Sequence, residues 1–209
     1  MKNKIIISFS LLIIAFSCVH SPKDNFKIKT KERDFHIQRF DQDIFALDTN
    51  DISKGLPLLE EKYASFFTTY TRDIMRIGTI DSSFFIPTFK LFLTDSIFRE
   101  VYENSLSTFG DDISDIERKI DIAFQYIQHY FPKKKLPQVY FHVSGFNQQV
   151  VVTEDVLSLS IDNYLGKDYP YYKDLVFDYQ LQGMTREKAA SDLIMAWLMS
   201  EFPISIYTD

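Results

Sequence analysis

The sequence predicts an α+β fold, a mainly helical domain packed on a small β-sheet. Three observations carry that expectation. Aromatic and aliphatic residues recur at helical spacing from Leu56 to Phe131. The period drops to two between Leu136 and Asp162, and it returns to helical after Thr185. Twenty Phe and twelve Tyr in 209 residues, with 45% hydrophobic and 25% charged positions, fill a sizeable core without disulfides or metal.

Met1-Lys2-Asn3-Lys4 is a short positive start, and Ile5 to Phe16 is an apolar run. Twelve helical residues rise about 18 Å, short of a hydrocarbon core of about 30 Å, so residues 1–17 read as a signal peptide rather than a span. Ala15-Phe16-Ser17-Cys18 then allows two readings. A general signal peptidase could cut after Ser17, or Cys18 carries the lipid of a bacterial lipoprotein. The run-up resembles a lipobox, although Phe16 stands where a small residue is usual and Ala15 where Leu is commoner. The only thiol of the chain lies at the end of its apolar run, which favours Cys18 as the lipid-attachment residue. Residues 18–34 follow as the lipidated cysteine and its tether. The tether carries Lys23, Lys27, Lys29, Lys31 and Arg33 against Asp24, Glu32 and Asp34, a net of +2, and reads as a solvated linker.

Residues 35–209 read as a single domain. Phe35 to Phe40 alternate as a strand, and Asp41 to Leu47 suit a short turn of helix. Leu59, Tyr63, Phe66, Phe67, Tyr70 and Ile74 form a helical stripe with Pro57 in its first turn. A second aromatic helix spans Phe84 to Phe92 with Pro87 near its start. A third runs from Asp95 to Leu106, with Ile97, Val101 and Tyr102 inward. Asp111-Asp112 and the Ser114-x-x-Glu117 spacing resemble a capping box for a helix carrying Ile120, Ala123, Phe124, Ile127, Tyr130 and Phe131.

Pro132 and Pro137 bracket Lys133-Lys134-Lys135 and stop that helix. Val139, Phe141 and Val143 then share one strand face, and Tyr140 and His142 the other. After the turn at Ser144-Gly145-Phe146-Asn147 the chain returns extended, with Leu157, Leu159 and Ile161 alternating against Ser158, Ser160 and Asp162. Asn163 to Gly166 leaves the sheet. The tyrosine-rich loop after it suits packing across the sheet end better than ligand binding. Thr185 caps a last helix with the stripe Ala190, Ile194, Trp197 and Leu198, ending at Pro203. That helix is apolar nearly all round, so Met195 and Met199 are expected to face a further segment or a partner protein.

Net charge is −6, and with Lys2 and Lys4 in the leader the remainder carries −8, which disfavours nucleic acid as a partner. Strands followed by a helix with buried polar residues are the layout of zincin-type metallopeptidases. That chemistry needs two His at i and i+4 with a Glu beside the first. Here the helix reads Ser191-Asp192-Leu193-Ile194-Met195, and serine and thioether do not replace two imidazoles. The expected arrangement is therefore a degenerate zincin-like one, with no metal ligand, catalytic residue or cofactor assigned. Asp192 suits a solvated or hydrogen-bonded helix acid, and His142 a packed or edge histidine. No Gly-x-Ser-x-Gly, phosphate loop or calcium loop occurs, and six Gly are few for a nucleotide cradle. These residues argue against an enzyme, and a site built on carboxylates alone stays open.

Arg39-Phe40-Asp41, Tyr126-Ile-Gln-His-Tyr-Phe-Pro132, the extended Leu136–Ser144, Gly145-Phe146-Asn147 and Leu159-Ser-Ile-Asp-Asn-Tyr-Leu-Gly166 resemble the gliding-motility lipoprotein GldB family. The resemblance implies a membrane-anchored lipoprotein of the bacterial cell envelope, on its periplasmic or surface side. It also implies a requirement in gliding, partners in the gliding and type IX secretion apparatus, and distant kinship to zinc peptidases with a degenerate metal motif. Family members continue past the length of this chain, so a C-terminal truncation is expected. Two other functions stay open. One is a divergent zinc-metallopeptidase-like hydrolase. The other is a carbohydrate or peptide binder using Tyr169, Tyr171 and Tyr172.

Overall fold

Aromatic stripes build the N-terminal half as a run of helices. The computed structural model describes residues 27–203. Cys18 and the signal-peptide assignment lie outside them, and Glu32 onward belongs to one unit. β1 (Gln38–Arg39) leads directly into α1 (Phe40–Phe45). α2 (Ile52–Thr68) continues as a π-helical turn over Thr69–Ile74, and α3 (Phe85–Thr94) and α4 (Ser96–Phe109) follow. The stripe of Leu59, Tyr63, Phe66, Phe67, Tyr70 and Ile74 is buried as its spacing predicts. Phe40 sits at its centre, edge-on to Tyr63 at 4.8 Å and to Phe66 at 5.0 Å.

Helix boundaries differ from expectation where side chains act through tertiary contacts. α2 starts before Leu56, so Pro57 lies inside it rather than in its first turn, and Ala64 breaks it at φ 38°, ψ −116°. Asp95 caps α4, accepting from the N–H groups of Ile97 and Phe98 at 2.9 and 3.0 Å. Ile97 itself is 58% exposed rather than inward. α5 (Ser114–Tyr130) lacks the expected capping box. Asp112 accepts from the Ser114 N–H at 3.0 Å, while Glu117 reaches across to the Ile37 N–H at 2.9 Å. The acid that would close a local box instead fixes the entry to β1.

The sheet has the order β1-β2-β4-β3, formed with β2 (Gln138–His142), β3 (Val150–Val152) and β4 (Val156–Ser160). β1, β2 and β4 are parallel, and β3 is an antiparallel edge. Only Gln38 and Arg39 of the expected strand Phe35–Phe40 pair. The register sets Tyr140 beside Ser158, Phe141 beside Leu159 and His142 beside Ser160. α7 (Ala189–Glu201) lies on β3 and β4 and packs along α5, with Trp197 edge-on to Phe124 at 6.1 Å. The opposite face is also covered. Phe66 stacks on Tyr140 at 4.5 Å, and Phe66 and Tyr70 stand edge-on to His142 at 5.8 Å.

A 3-10 turn (Pro170–Asp174), the short helix α6 (Asp178–Leu181) and another 3-10 turn (Arg186–Lys188) join the sheet to α7. Thr185 makes no side-chain cap and bridges Leu165 instead. α7 buries Ala189, Ala190, Leu193 and Trp197, with Ile194 and Leu198 half-buried. Met195 and Met199 are 58% and 64% exposed, as the all-round apolar pattern predicts. No helix among the described residues is long and apolar enough to cross a membrane.

The turn after β2 depends on a glycine. Gly145 has φ +64°, and a Cβ there would stand 2.6 Å from Cε1 of Phe98. Gly145→Ala is therefore expected to cost about 1–3 kcal/mol, from a left-handed backbone and a ring that must shift. A lowered urea midpoint with unchanged m-value checks this.

Candidate functional site

Strand alternation puts Tyr140, His142, Ser158 and Ser160 on one sheet face, and a serine-rich face would ordinarily meet water. With Phe66 of α2 over Tyr140 and His142, and α4 and Tyr172 packed at the strand ends, His142, Ser144, Ser158, Ser160 and Asp162 are all fully buried. Buried hydroxyls and carboxylates need partners, and here they find one another. Ser160 donates its hydroxyl to Asp162 and lies 2.8 Å from the Ser144 hydroxyl. Asp162 also accepts from the backbone N–H groups of Phe146 at 2.7 Å and Ser144 at 3.3 Å. The carboxylate thus ties the end of β4 to the turn after β2, and Phe146 holds its own left-handed conformation (φ 67°) beside it. Burial pushes the Asp162 carboxyl above its ordinary value against those donors.

His142 forms a second, separate pair. Its Nδ1 lies 2.6 Å from the Ser158 hydroxyl, which donates to the Tyr140 carbonyl at 3.3 Å. The His142 Nδ1 and the Ser158 hydroxyl share one hydrogen bond, and the imidazole Nε2 has no partner. Complete burial brings its pKa down to about 3. A serine beside a histidine invites comparison with an activated nucleophile. Here no carboxylate orients the ring, and both side chains are sealed from solvent. The arrangement can lock strands together, but it offers a substrate no access.

The positions corresponding to a metal helix point elsewhere. Ser191 is exposed and donates to the Lys188 carbonyl at 2.8 Å, and Met195 is exposed. Asp192, half-buried, accepts from the Tyr164 hydroxyl at 3.3 Å, and that hydroxyl accepts from Gln149 Nε2 at 2.9 Å. Among the described residues no group of three or more His, Cys, Asp or Glu is placed to hold a metal ion.

The tyrosine loop packs across the sheet end. Tyr172 is buried, donates to the Asp162 carbonyl at 2.6 Å and accepts from the Leu165 N–H at 2.9 Å. Tyr169 is half-buried beside Asn104, and Tyr171 hydrogen-bonds Glu100 at 3.2 Å. The three rings cluster with Phe146 rather than framing a groove. An open cleft of about 440 Å³ lies elsewhere, beside β1, walled by Phe35, His36, Phe124, Leu136 and Gln138. Arg33 at its rim is already bound to Asp121 at 2.6 Å and to Gln128 at 2.8 Å. The exposed His36 imidazole is raised by Glu117 and Asp34, so its charge too is met.

Sequence reasoning found Asp192 and the packing of the tyrosines, and it missed the buried network. The visible signal was the alternation of Ser158, Ser160 and Asp162, which fits a solvated face equally well. No curated protein and no solved structure matches the chain. The family described as gliding motility protein GldB matches residues 21–208. With nearly the whole sequence inside that match, the chain belongs to the gliding motility protein GldB family.

Proposed function

We propose that this protein is a non-catalytic lipoprotein of the cell envelope, required for gliding motility and acting through contacts with the gliding and type IX secretion apparatus. Family membership over residues 21–208 carries the motility role. The sealing of His142, Ser144, Ser158, Ser160 and Asp162 supports a role without turnover, since a catalytic group must meet its substrate. Residues 1–17 are the signal peptide in this reading, Cys18 bears the lipid, 18–34 is the tether and 35–209 the working domain. The antiparallel edge β3, then β4 and α7, support a degenerate zincin-like arrangement whose helix carries Ser191 and Met195 in place of ligands.

Deletion of the gene and complementation test the proposal. Wild type is expected to restore colony spreading. Cys18→Ser is expected to leave the membrane fraction and to fail, because acyl chains contribute about 0.8 kcal/mol per buried CH₂. Retention of that variant in carbonate-washed membranes would remove the lipid anchor from the reading. Ser191→Ala with Asp192→Asn is expected to restore spreading. A folded double variant that failed would favour the divergent hydrolase, and normal spreading of the deletion strain would end the motility assignment.

A further inference from the structure

β3 pairs with β4 on one side only, and its other side is an edge of the sheet. The register fixes which backbone groups face out. The Ser160 N–H donates to the Gln149 carbonyl at 2.9 Å, and the Thr153 N–H to the Val156 carbonyl at 2.8 Å. Residues 149, 151 and 153 therefore turn their N–H and C=O groups toward β4, and Val150 and Val152 turn theirs outward. Among the described residues no hydrogen-bond partner meets those four outward groups. The three valines are half-buried, and Asn147 to Gln149 before them and Thr153 to Asp155 after them are exposed. An open edge is ordinarily blunted by a lysine, a proline or a bulge as well as by shortness, and β3 has only its shortness.

Alternate N–H and C=O groups at this spacing are matched by another extended strand. The residues around β3 say which one. Asn147-Gln148-Gln149-Val150-Val151-Val152-Thr153-Glu154-Asp155 places amides before the valines and acids after them. Two copies laid antiparallel bring the acids of each beside the amides of the other, whereas parallel copies set acid against acid. Asp155 is already shared with Lys135, so Glu154 is the acid that meets Gln148 of the second copy. The register is equally constrained. Gln148 has committed its N–H and C=O to the Ser144 hydroxyl at 3.2 and 3.3 Å, and Glu154 stands in the tight turn between β3 and β4. Only a two-fold axis at Val151 sets Val150 opposite Val152 of the second copy, and Val152 opposite its Val150. In that register all the outward groups of both copies pair, and each Val151 faces its counterpart as a non-hydrogen-bonded pair.

We infer that two copies of this chain join edge to edge through β3, antiparallel about Val151, so that each four-stranded sheet continues into the other. The pairing uses backbone groups far from the tether and holds whether or not Cys18 carries a lipid. A strand of three residues gives a weak pair, so the dimer exchanges with the monomer and forms as concentration rises.

Cysteine cross-linking in the full chain reads the register directly. Cys18 is the only thiol, so Cys18→Ser clears the background for one introduced cysteine. Val151→Cys places two thiols across the axis with Cα atoms about 4.5 Å apart, inside the range of about 4.4–6.8 Å that a disulfide spans. Thr153→Cys lies on the same sheet face and is exposed, but it stands opposite Gln149 of the second copy, about 13 Å from its own counterpart. Diamide takes the two protons and two electrons that the thiols lose. The Val151→Cys chain is expected to form a covalent dimer roughly tenfold faster or more than the Thr153→Cys chain at equal concentration. Adding Val152→Pro removes an outward N–H and leaves the bonds to β4 in place, and it is expected to slow cross-linking at residue 151 severalfold. Val150→Pro acts in the same way, so whichever variant keeps the wild-type circular dichroism and melting decides this arm. Equal rates at residues 151 and 153 would overturn the inference, as random collision or another register gives that result. Cross-linking at neither position would also overturn it and leave the edge to a foreign strand or to water. Selective cross-linking at residue 151 that a folded proline variant does not slow would overturn backbone pairing through β3.

Discussion

Asp162→Ala is expected to destabilise the protein by about 3–5 kcal/mol, enough to unfold a marginal domain. The carboxylate is fully buried and accepts from the Ser160 hydroxyl and from the Ser144 and Phe146 N–H groups. Removing it takes the acceptor from the Ser144 and Phe146 N–H groups, at about 1–3 kcal/mol for each one left unsatisfied, while the Ser160 hydroxyl keeps Ser144 as a neighbour. Asp162→Asn separates charge from shape. It keeps one acceptor oxygen but turns an amide N–H₂ toward a donor, so it should fall between Ala and wild type. Urea denaturation followed by circular dichroism reads all three. An alanine variant within roughly 1 kcal/mol of wild type would mean that the network is not what joins β4 to the turn.

Acid is expected to unfold the protein through His142. Its folded pKa is about 3 against an ordinary 6.5, because burial opposes the charged imidazolium. A depressed histidine stabilises the fold fully above 6.5, and that contribution is lost as pH falls from 6.5 toward 3. The loss approaches 1.4 kcal/mol per pH unit, on the order of 5 kcal/mol over the whole window. Asp162, raised by burial, works in the opposite sense. Its contribution is full below its ordinary 3.8 and declines as pH rises through its folded value. His142→Leu isolates the histidine, because the aspartate is common to both proteins. The variant should be less stable than wild type at pH 8, having lost the bond to Ser158, and more stable at pH 4. Parallel stability curves for the two proteins would place the acid sensitivity elsewhere.

The helices were legible because a 3.6-residue stripe of rings has few other uses. Tyr63, Phe66 and Tyr70 could hardly be anything but one face of a helix, and they are buried. The strands were legible from the drop to period two. What alternation cannot report is how many layers cover the sheet. Ser158, Ser160 and Asp162 have the pattern of a wet face, and only tertiary cover makes them interior: Phe66 of α2 over Tyr140 and His142, and α4 and Tyr172 against the turn that carries Asp162. Local signals also failed where a side chain serves a distant partner. Glu117 sits three residues after Ser114 as a capping box demands, yet its oxygen belongs to Ile37, eighty residues away. The shrinkage of the first strand from Phe35–Phe40 to Gln38–Arg39 has the same origin, since a strand ends where its neighbour stops pairing. The candidate site was the least readable part, because a hydroxyl network and a solvated strand face are spelled with the same residues.

The sheet order also sets a sequence of events in time. β2, β3 and β4 fall between residues 138 and 160, whereas Gln38 of β1 pairs with Tyr140 across about a hundred residues of chain. Closing that loop is the larger entropic cost, so the C-terminal strands assemble first and β1 arrives late. Its arrival brings the buried Arg39–Asp41 ion pair, in which Arg39 also donates to the Gly110 carbonyl at 2.9 Å at the end of α4. Arg39 and Asp41 stand two residues apart, so their pairing needs no distant partner, whereas its burial and the bond to Gly110 wait for the sheet and α4. The N-terminal edge is in that sense the closing piece of the sheet: a two-residue strand laid on β2.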